Sequence, residues 1–129
     1  MLKFCTGYDG NKSIDLIQLK QMNNKVRILN LDNNQIFYDE NEFNQIKNGY
    51  VQISIDKFDK NGKEIYVGDI LINNEGFKMI VCLEPDNKTP YCDGEREKDY
   101  FRGNSCKWND YVIAGYCYDK LTDFNFYED

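Results

Sequence analysis

Short alternating strands separated by tight turns are the feature that most constrains the fold of this chain. Residues 50–55 read Tyr-Val-Gln-Ile-Ser-Ile, an alternation that places the aliphatic side chains on one face of an extended strand. The segment 59–63 follows as a turn, because Asn61 and Gly62 accept positive φ at little cost. A second apolar run at 65–72 completes a strand, turn, strand unit, which is typical of an antiparallel sheet.

The same pattern predicts one mainly β domain, of the α+β class, over residues 1–129. We expect a small twisted antiparallel sheet or an SH3-like barrel with one short helix. The expected strands lie at 2–8, 25–31, 50–55, 65–72, 77–83 and 111–118. The segment 84–107 holds both prolines and a charge run, so we predict a long irregular loop there. Residues 120–129 are predicted to form an acidic aromatic tail.

Two segments before residue 50 determine the helix content. Residues 39–47 are predicted to form the short helix, because Asp39 can cap its amides and Glu42 can complete a capping box. Residues 14–22 fit both a helical stripe and an alternating strand. We interpret them as a strand that forms a hairpin with 25–31, because two asparagines separate the segments.

Two motifs in the second half of the chain resemble a known family. Residues 60–71, Lys-Asn-Gly-Lys-Glu-Ile-Tyr-Val-Gly-Asp-Ile-Leu, resemble the hallmark segment of the YopX family, small proteins encoded by bacterial viruses and prophages. Residues 111–119, Tyr-Val-Ile-Ala-Gly-Tyr-Cys-Tyr-Asp, are similar to the closing strand of that family. The resemblance covers roughly residues 50–120. It implies a viral context and a mostly β fold, and it carries over no catalytic residue.

The charge balance limits the classes of partner. The net charge is −6 and the pI is about 4.7, so we expect no direct binding of duplex DNA, which relies on Lys and Arg at the phosphates. An acidic surface suits a host or viral protein with a basic groove. The apolar runs are far shorter than a membrane span, and the first residues are too polar for a secretion signal. We therefore expect a cytoplasmic protein without membrane contact.

The chain offers little catalytic chemistry. It has five cysteines, with no Cys-x-x-Cys pair, and no histidine, so we expect reduced thiols, no metal and no cofactor. Acidic pairs such as Asp93 with Glu95 fit solvated loop charges better than acid–base or magnesium chemistry. In the dipeptide Gly68-Asp69 we interpret the glycine as a bend and the aspartate as a cap for nearby amides. The sequence therefore predicts no enzymatic activity.

Aromatic residues and arginines concentrate in the 84–107 segment and just after it. Such residues dominate the binding energy of many interfaces, so they form the predicted partner-binding set. The set is Tyr91, Arg96, Tyr100, Phe101, Arg102 and Trp108. Some of the aromatic residues can instead fill the core. The same aromatic residues with two arginines can also stack a base and hold the phosphates of a small nucleotide.

These patterns favour a phage- or prophage-encoded, non-enzymatic binding protein. Its expected action is occupancy: an acidic aromatic surface engages a host protein, such as a nucleic-acid-handling immune effector, and inhibits or modulates it. The alternative is a protein that binds or sequesters a small nucleotide signal. An enzyme ranks last.

Overall fold

The computed structural model describes residues 2–5, 11–76, 78–84, 89–94, 101–102 and 107–116. The strands are β1 Leu2–Cys5, β2 Asn11–Ile14, β3 Val26–Asn30, β4 Gln35–Phe37, β5 Gly49–Phe58, β6 Glu64–Tyr66, β7 Asp69–Ile72, β8 Lys78–Leu83, β9 Pro90–Gly94, β10 Phe101–Arg102 and β11 Val112–Tyr116. The described helices are α1 Leu16–Gln21 and two 3₁₀ helices, Glu40–Gln45 and Trp108–Asp110. The protein is mainly β, as the alternation predicts, although its helices number more than the single one expected.

The strands form two sheets. In the first sheet the order is β2-β1-β5-β3-β4, and β6 pairs with the far half of the long strand β5. The pairing of β1 with β5 is parallel, so this sheet is mixed rather than purely antiparallel as predicted. In the second sheet the order is β10-β9-β8-β7-β11, with every pair antiparallel.

The central strand β5 is buried on both of its faces. Val51 and Ile53 lie in the core, as the alternation predicts, but the intervening Gln52 is also fully buried. β5 has neighbours on both edges, β1 and β3, and its N-terminal half is shielded on each side. A buried amide needs hydrogen-bond partners, so Gln52 must belong to an internal polar network.

The chain passes from the first sheet to the second at the turn between β6 and β7. Val67 donates its amide to the Ile53 carbonyl of β5 at 2.9 Å, and Gly68 donates to the Val81 carbonyl of β8 at 2.8 Å. Gly68 has φ of 97°, a conformation that favours glycine. The predicted strand 65–72 is therefore two strands in different sheets, and the prediction that Gly68 bends the chain is confirmed.

The segment predicted as a strand at 14–22 is largely a helix. β2 ends at Ile14, and α1 begins after the N-cap Asp15. The Asp15 carboxylate accepts from the Gln18 amide at 2.8 Å, while the Gln18 side-chain oxygen accepts from the Asp15 amide at 2.9 Å. This reciprocal capping box makes the strand prediction and its hairpin with 25–31 wrong. β3 pairs instead with β4 and β5.

The helix predicted at 39–47 is a shorter 3₁₀ helix, Glu40–Gln45. Asp39 is its N-cap, as expected, but its carboxylate accepts from the Asn41 amide at 2.9 Å and forms no box with Glu42. Phe43 is buried in the core and Ile46, which follows the helix, is buried beside it. The tighter helix turns these two apolar side chains inward and leaves its acidic residues outside.

The 84–107 segment is not the continuous irregular loop predicted, because β9 and β10 lie within it. Both strands extend the second sheet: β9 pairs with β8, and β10 pairs with β9. The predicted tail at 120–129 lies outside the described residues, as does the end of the predicted strand 111–118 beyond Tyr116. Among the helices of the described residues, none has the length and apolar character needed to cross a membrane.

Candidate functional site

A pocket of about 540 Å³ lies between the edge of each sheet, where β4 ends the first sheet and β11 ends the second. Its walls combine basic, acidic, aromatic and small residues. The lining residues are Lys25, Arg27, Ile36, Tyr38, Lys63, Glu64, Tyr66, Asp69, Ile113, Ala114 and Gly115. We refer to it as the inter-edge pocket. It brings together side chains from five strands and their connections.

The floor of the inter-edge pocket is a buried ion pair between Arg27 of β3 and Asp69 of β7. The Arg27 Nη2 donates to Asp69 Oδ1, and the two side chains are only 6% and 1% exposed. The Arg27 Nε donates to the buried Gln52 Oε1 at 3.1 Å. The guanidinium carbon lies 4.3 Å from the ring centroid of Tyr66, which adds a cation–π contact. A carboxylate, an amide oxygen and an aromatic ring therefore fix the position of the Arg27 guanidinium.

The second carboxylate oxygen of Asp69 and the side-chain nitrogen of Gln52 bind the turn between the sheets. Asp69 Oδ2 accepts from the Tyr66 amide at 2.8 Å, and Gln52 Nε2 donates to the Val67 carbonyl at 2.8 Å. Burial raises the pKa of Asp69, while the Arg27 charge and the Tyr66 amide act in the opposite direction. The interpretation of Asp69 as a cap for nearby amides is confirmed. The ion pair and Gln52 together fix the point where the chain changes sheet.

A second, more exposed ion pair lies at the mouth of the inter-edge pocket. Lys25 Nζ donates to Glu64 Oε1 at 2.7 Å, and Ser54 Oγ donates to Glu64 Oε2 at 2.6 Å. Burial would raise the pKa of Glu64, but the hydrogen bonds from Lys25 and Ser54 outweigh it and hold that pKa below its ordinary value. The hydrogen bond to Glu64 raises the pKa of Lys25. Both groups therefore stay charged near neutral pH.

Two tyrosines and a lysine also line the inter-edge pocket. The rings of Tyr38 and Tyr66 meet edge to face, with centroids 6.1 Å apart and planes at 65°. Tyr38 is 57% exposed, whereas Tyr66 is buried, and burial raises the pKa of the Tyr66 hydroxyl. Lys63 is exposed and forms no ion pair with any other residue that the structure describes.

Asp59 places two walls of the inter-edge pocket relative to each other. Its Oδ1 accepts from the Asn61 and Lys63 amides, both at 2.8 Å, and shapes the 59–63 turn. Its Oδ2 accepts from the Ile113 amide of β11 at 3.0 Å. Both segments that resemble the YopX family therefore meet at Asp59, which is 4% exposed. The predicted turn at 59–63 is confirmed, and Gly62 in it has φ of 81°.

The two buried carboxylates at and beside the inter-edge pocket are engaged in contacts that hold the fold together. The buried carboxylates Asp59 and Asp69 both accept hydrogen bonds from backbone amides, and Asp69 also pairs with Arg27. Each is therefore committed to a structural role. Among the described residues, no group of three or more cysteine, aspartate or glutamate side chains is placed to hold a metal ion.

The residues predicted to bind a partner separate into three groups. Tyr91 is half-buried on β9, and the backbones of Phe101 and Arg102 pair with β9 opposite Cys92 and Tyr91. Trp108 is 8% exposed and belongs to the hydrophobic core, as the alternative interpretation of these aromatic residues proposed. Arg96 and Tyr100 lie outside the described residues. The structure thus brings Tyr91, Phe101 and Arg102 onto neighbouring strands and places Trp108 inside.

Sequence reasoning missed the residues of the inter-edge pocket other than Asp69. A usable signal was present, because Arg27 interrupts the apolar run Val-Arg-Ile-Leu and Asp69 precedes Ile-Leu-Ile. A charged residue inside a run that must be buried requires an opposite charge nearby. The sequence contains no comparable signal for Tyr38, which follows two apolar residues as part of the same run, or for Lys63, which lies in a polar turn.

A scan against protein-family models and a search of curated proteins each found no match to this chain. The likeness to the YopX family therefore depends on the two motifs, residues 60–71 and 111–119, that the sequence itself displays.

Proposed function

We propose that the protein is a non-enzymatic binding protein of a bacterial virus or prophage, and that it inhibits or modulates a host protein by covering part of its surface. The observation that carries this proposal is a run of exposed aromatic and acidic side chains at 38–42. Tyr38, Asp39, Glu40 and Glu42 are all exposed. Tyrosine is enriched among residues that dominate interface energy, and exposed carboxylates attract a basic surface. We refer to these four residues as the acidic aromatic segment.

The acidic aromatic segment is held in place before any partner arrives. Phe43 and Ile46 anchor the 3₁₀ helix in the core, and the N-cap hydrogen bond from the Asn41 amide to Asp39 closes its first turn. A segment that is already ordered loses little conformational entropy on binding, so more of the contact energy contributes to affinity. This rigidity supports a role in recognition.

The overall charge supports a basic partner surface. With a net charge of −6, long-range attraction favours a protein with a basic groove, for example a nucleic-acid-handling immune effector in the host cytoplasm. The same charge disfavours duplex DNA, and we expect no gel shift of duplex DNA at physiological salt. The motifs at 60–71 and 111–119 supply the viral context.

Affinity capture from an infected host tests the proposal. The tagged wild-type protein is expected to capture one or more specific proteins, and the amount captured is expected to fall as salt rises, because charge attraction is screened over about 8 Å at about 0.15 M salt. The test variant combines Tyr38→Ala, Glu40→Gln and Glu42→Gln, which removes the aromatic ring and two charges. We expect this variant to lose the captured protein.

A matched control removes two exposed charges elsewhere, through Asp56→Asn and Glu75→Gln. It should capture the same protein at the wild-type level, since neither residue belongs to the acidic aromatic segment. Equal capture by the test variant would refute this surface. Loss of capture in an Arg96→Ala, Arg102→Ala double variant would instead place the contact on the set predicted from the sequence.

A further inference from the structure

The inter-edge pocket has the dimensions of a small-molecule site. Its volume of about 540 Å³ lies within the range of about 300–1,000 Å³ that ligand pockets usually occupy. Ala114 and Gly115 form part of the β11 wall, and neither carries more than a methyl group to fill the space. The floor is the Arg27–Asp69 pair, which its hydrogen bonds fix in position.

The charge inside the pocket is opposite to that of the whole protein. Three cations, Lys25, Arg27 and Lys63, line it against two carboxylates, Glu64 and Asp69, so one positive charge is in excess. Arg27 neutralises Asp69, and Lys25 pairs with Glu64. The surplus charge therefore lies at Lys63, whose ammonium group has no carboxylate partner among the described residues. This excess positive charge favours the binding of an anion in the pocket, although the whole chain carries a net charge of −6.

The wall contributed by the first sheet offers an aromatic and an aliphatic contact. Tyr38 is more than half exposed, and Ile36, two residues before it at the edge strand β4, lines the same pocket. A tyrosine with an accessible ring stacks on any nucleobase, since every base has a π face. An anion of this site is thus expected to carry a ring.

We propose that the inter-edge pocket binds a small anionic compound that joins a phosphate to a planar ring, the chemistry of a nucleoside monophosphate. Lys63 and Lys25 hold the phosphate as ammonium donors, and Tyr38 and Ile36 contact the ring. Arg27 is a positioning residue, because its guanidinium is engaged by Asp69, Gln52 and Tyr66. Binding here does not require the protein partner proposed for the acidic aromatic segment.

Isothermal titration calorimetry of the full chain tests this site. The probes are the four common nucleoside monophosphates, the matching nucleosides and inorganic phosphate. We expect at least one monophosphate to bind more tightly than both its nucleoside and phosphate. Lys63→Gln should weaken that binding by about tenfold, the effect of losing one charge-assisted hydrogen bond. Ala114→Leu, which adds bulk to the wall, should weaken it as well.

Lys20→Gln is the matched control, because Lys20 is an exposed lysine on α1 that does not line the inter-edge pocket. It should leave the affinity unchanged. The absence of binding by all four monophosphates at millimolar concentration would overturn the proposal. Equal affinity of inorganic phosphate and every monophosphate would also overturn it, since the ring would then contribute nothing. Undiminished binding by Lys63→Gln and Ala114→Leu would place the ligand elsewhere. These titrations contain no partner protein, so they fail or succeed separately from affinity capture.

Discussion

Arg27 and Asp69 form a buried ion pair that links β3 of the first sheet to β7 of the second. The same carboxylate accepts the Tyr66 amide, and the same guanidinium binds Gln52, which in turn holds the Val67 carbonyl. The hydrogen bonds to Tyr66 and Val67 attach this network to the turn between β6 and β7. The pair therefore specifies where the chain leaves one sheet and enters the other, and it forms the floor of the inter-edge pocket as a consequence.

Asp69→Ala is expected to destabilise the fold by about 3–5 kcal/mol, because it leaves the Arg27 charge buried without its partner. Chemical denaturation of the purified variant measures the free energy of unfolding. The double variant Arg27→Met, Asp69→Ala should be less destabilised than the sum of the two single variants, since removing both charges removes the uncompensated one.

The exposed ion pair between Lys25 and Glu64 provides a comparison with the buried pair between Arg27 and Asp69. Lys25→Gln breaks an ion pair whose lysine side chain is 65% exposed, so we expect a much smaller loss of stability than for Asp69→Ala, because solvent screens an exposed pair. If the double variant loses as much free energy of unfolding as the Arg27→Met and Asp69→Ala single variants lose together, the two residues stabilise the fold independently. That result would contradict the network described above.

The sequence predicted most strands because β5, β8 and β11 are short stretches rich in apolar residues and bounded by turn residues, and such stretches are typical of strands in a sheet. It failed at residues 14–22, where a local side-chain contact decides between helix and strand. The apolar residues of 14–22 satisfy part of a helical stripe, while Ile14 and Leu16 also alternate, and the reciprocal capping of Asp15 and Gln18 decides for the helix. That Asp-x-x-Gln spacing is present in the sequence, and the hairpin interpretation did not take it into account.

Long-range pairing was beyond the reach of sequence reasoning. The parallel neighbours β1 and β5 are separated by more than 40 residues, and β11 pairs with β7 across the whole of β8 to β10. The site was harder still to predict. Lys25, Tyr38 and Lys63 adjoin three different strands of the first sheet and line one pocket with β11 of the second, and no local pattern encodes that arrangement.

Stability should depend on pH through Glu64. Its pKa is lower in the folded state than the ordinary value of about 4.3 for an unfolded glutamate, so the ionised form stabilises the fold above that pH. The contribution is lost as the pH falls through the lower folded pKa. Glu64→Gln should cost about 1 kcal/mol at pH 7 and progressively less below about pH 4.

Thermal unfolding of the wild type and of Glu64→Gln, measured from pH 7 to pH 3, checks this expectation. Glu75→Gln is the control, because Glu75 is an exposed glutamate without an ion pair to any described residue. A constant difference between wild type and Glu64→Gln across the whole range would rule out the charged contacts of Glu64 as the cause.

Gly49 should not tolerate a side chain. A Cβ there would lie 2.7 Å from Ile28 Cγ2, 2.9 Å from Ile46 Cγ2 and 3.0 Å from the Leu29 carbonyl oxygen. Gly49→Ala is therefore expected to destabilise the fold by about 1–3 kcal/mol through overpacking. Gly76→Ala is the comparison, because its added Cβ meets nothing within 4 Å and only the φ of 86° opposes it. A smaller loss is expected there, about 1 kcal/mol. If denaturation gives the reverse order, the close approach of β5 to β3 at Gly49 is not as described.

Substitution of Trp108 distinguishes a role in the core from a role in partner binding. It is 8% exposed, lies in the core cluster, and belongs to the short helix that contacts β5. Trp108→Ala should therefore lower the free energy of unfolding by about 3–5 kcal/mol, the range for removing a large buried ring. Ile17→Ala is the control, since Ile17 is a large apolar residue that is 70% exposed, and its loss should stay within about 0.5 kcal/mol. Trp108→Phe keeps a ring in the core, so it should recover much of the stability. If Trp108→Ala retains wild-type stability but loses the captured partner, the tryptophan acts at the interface, as the sequence first suggested, and its burial is not what holds the fold.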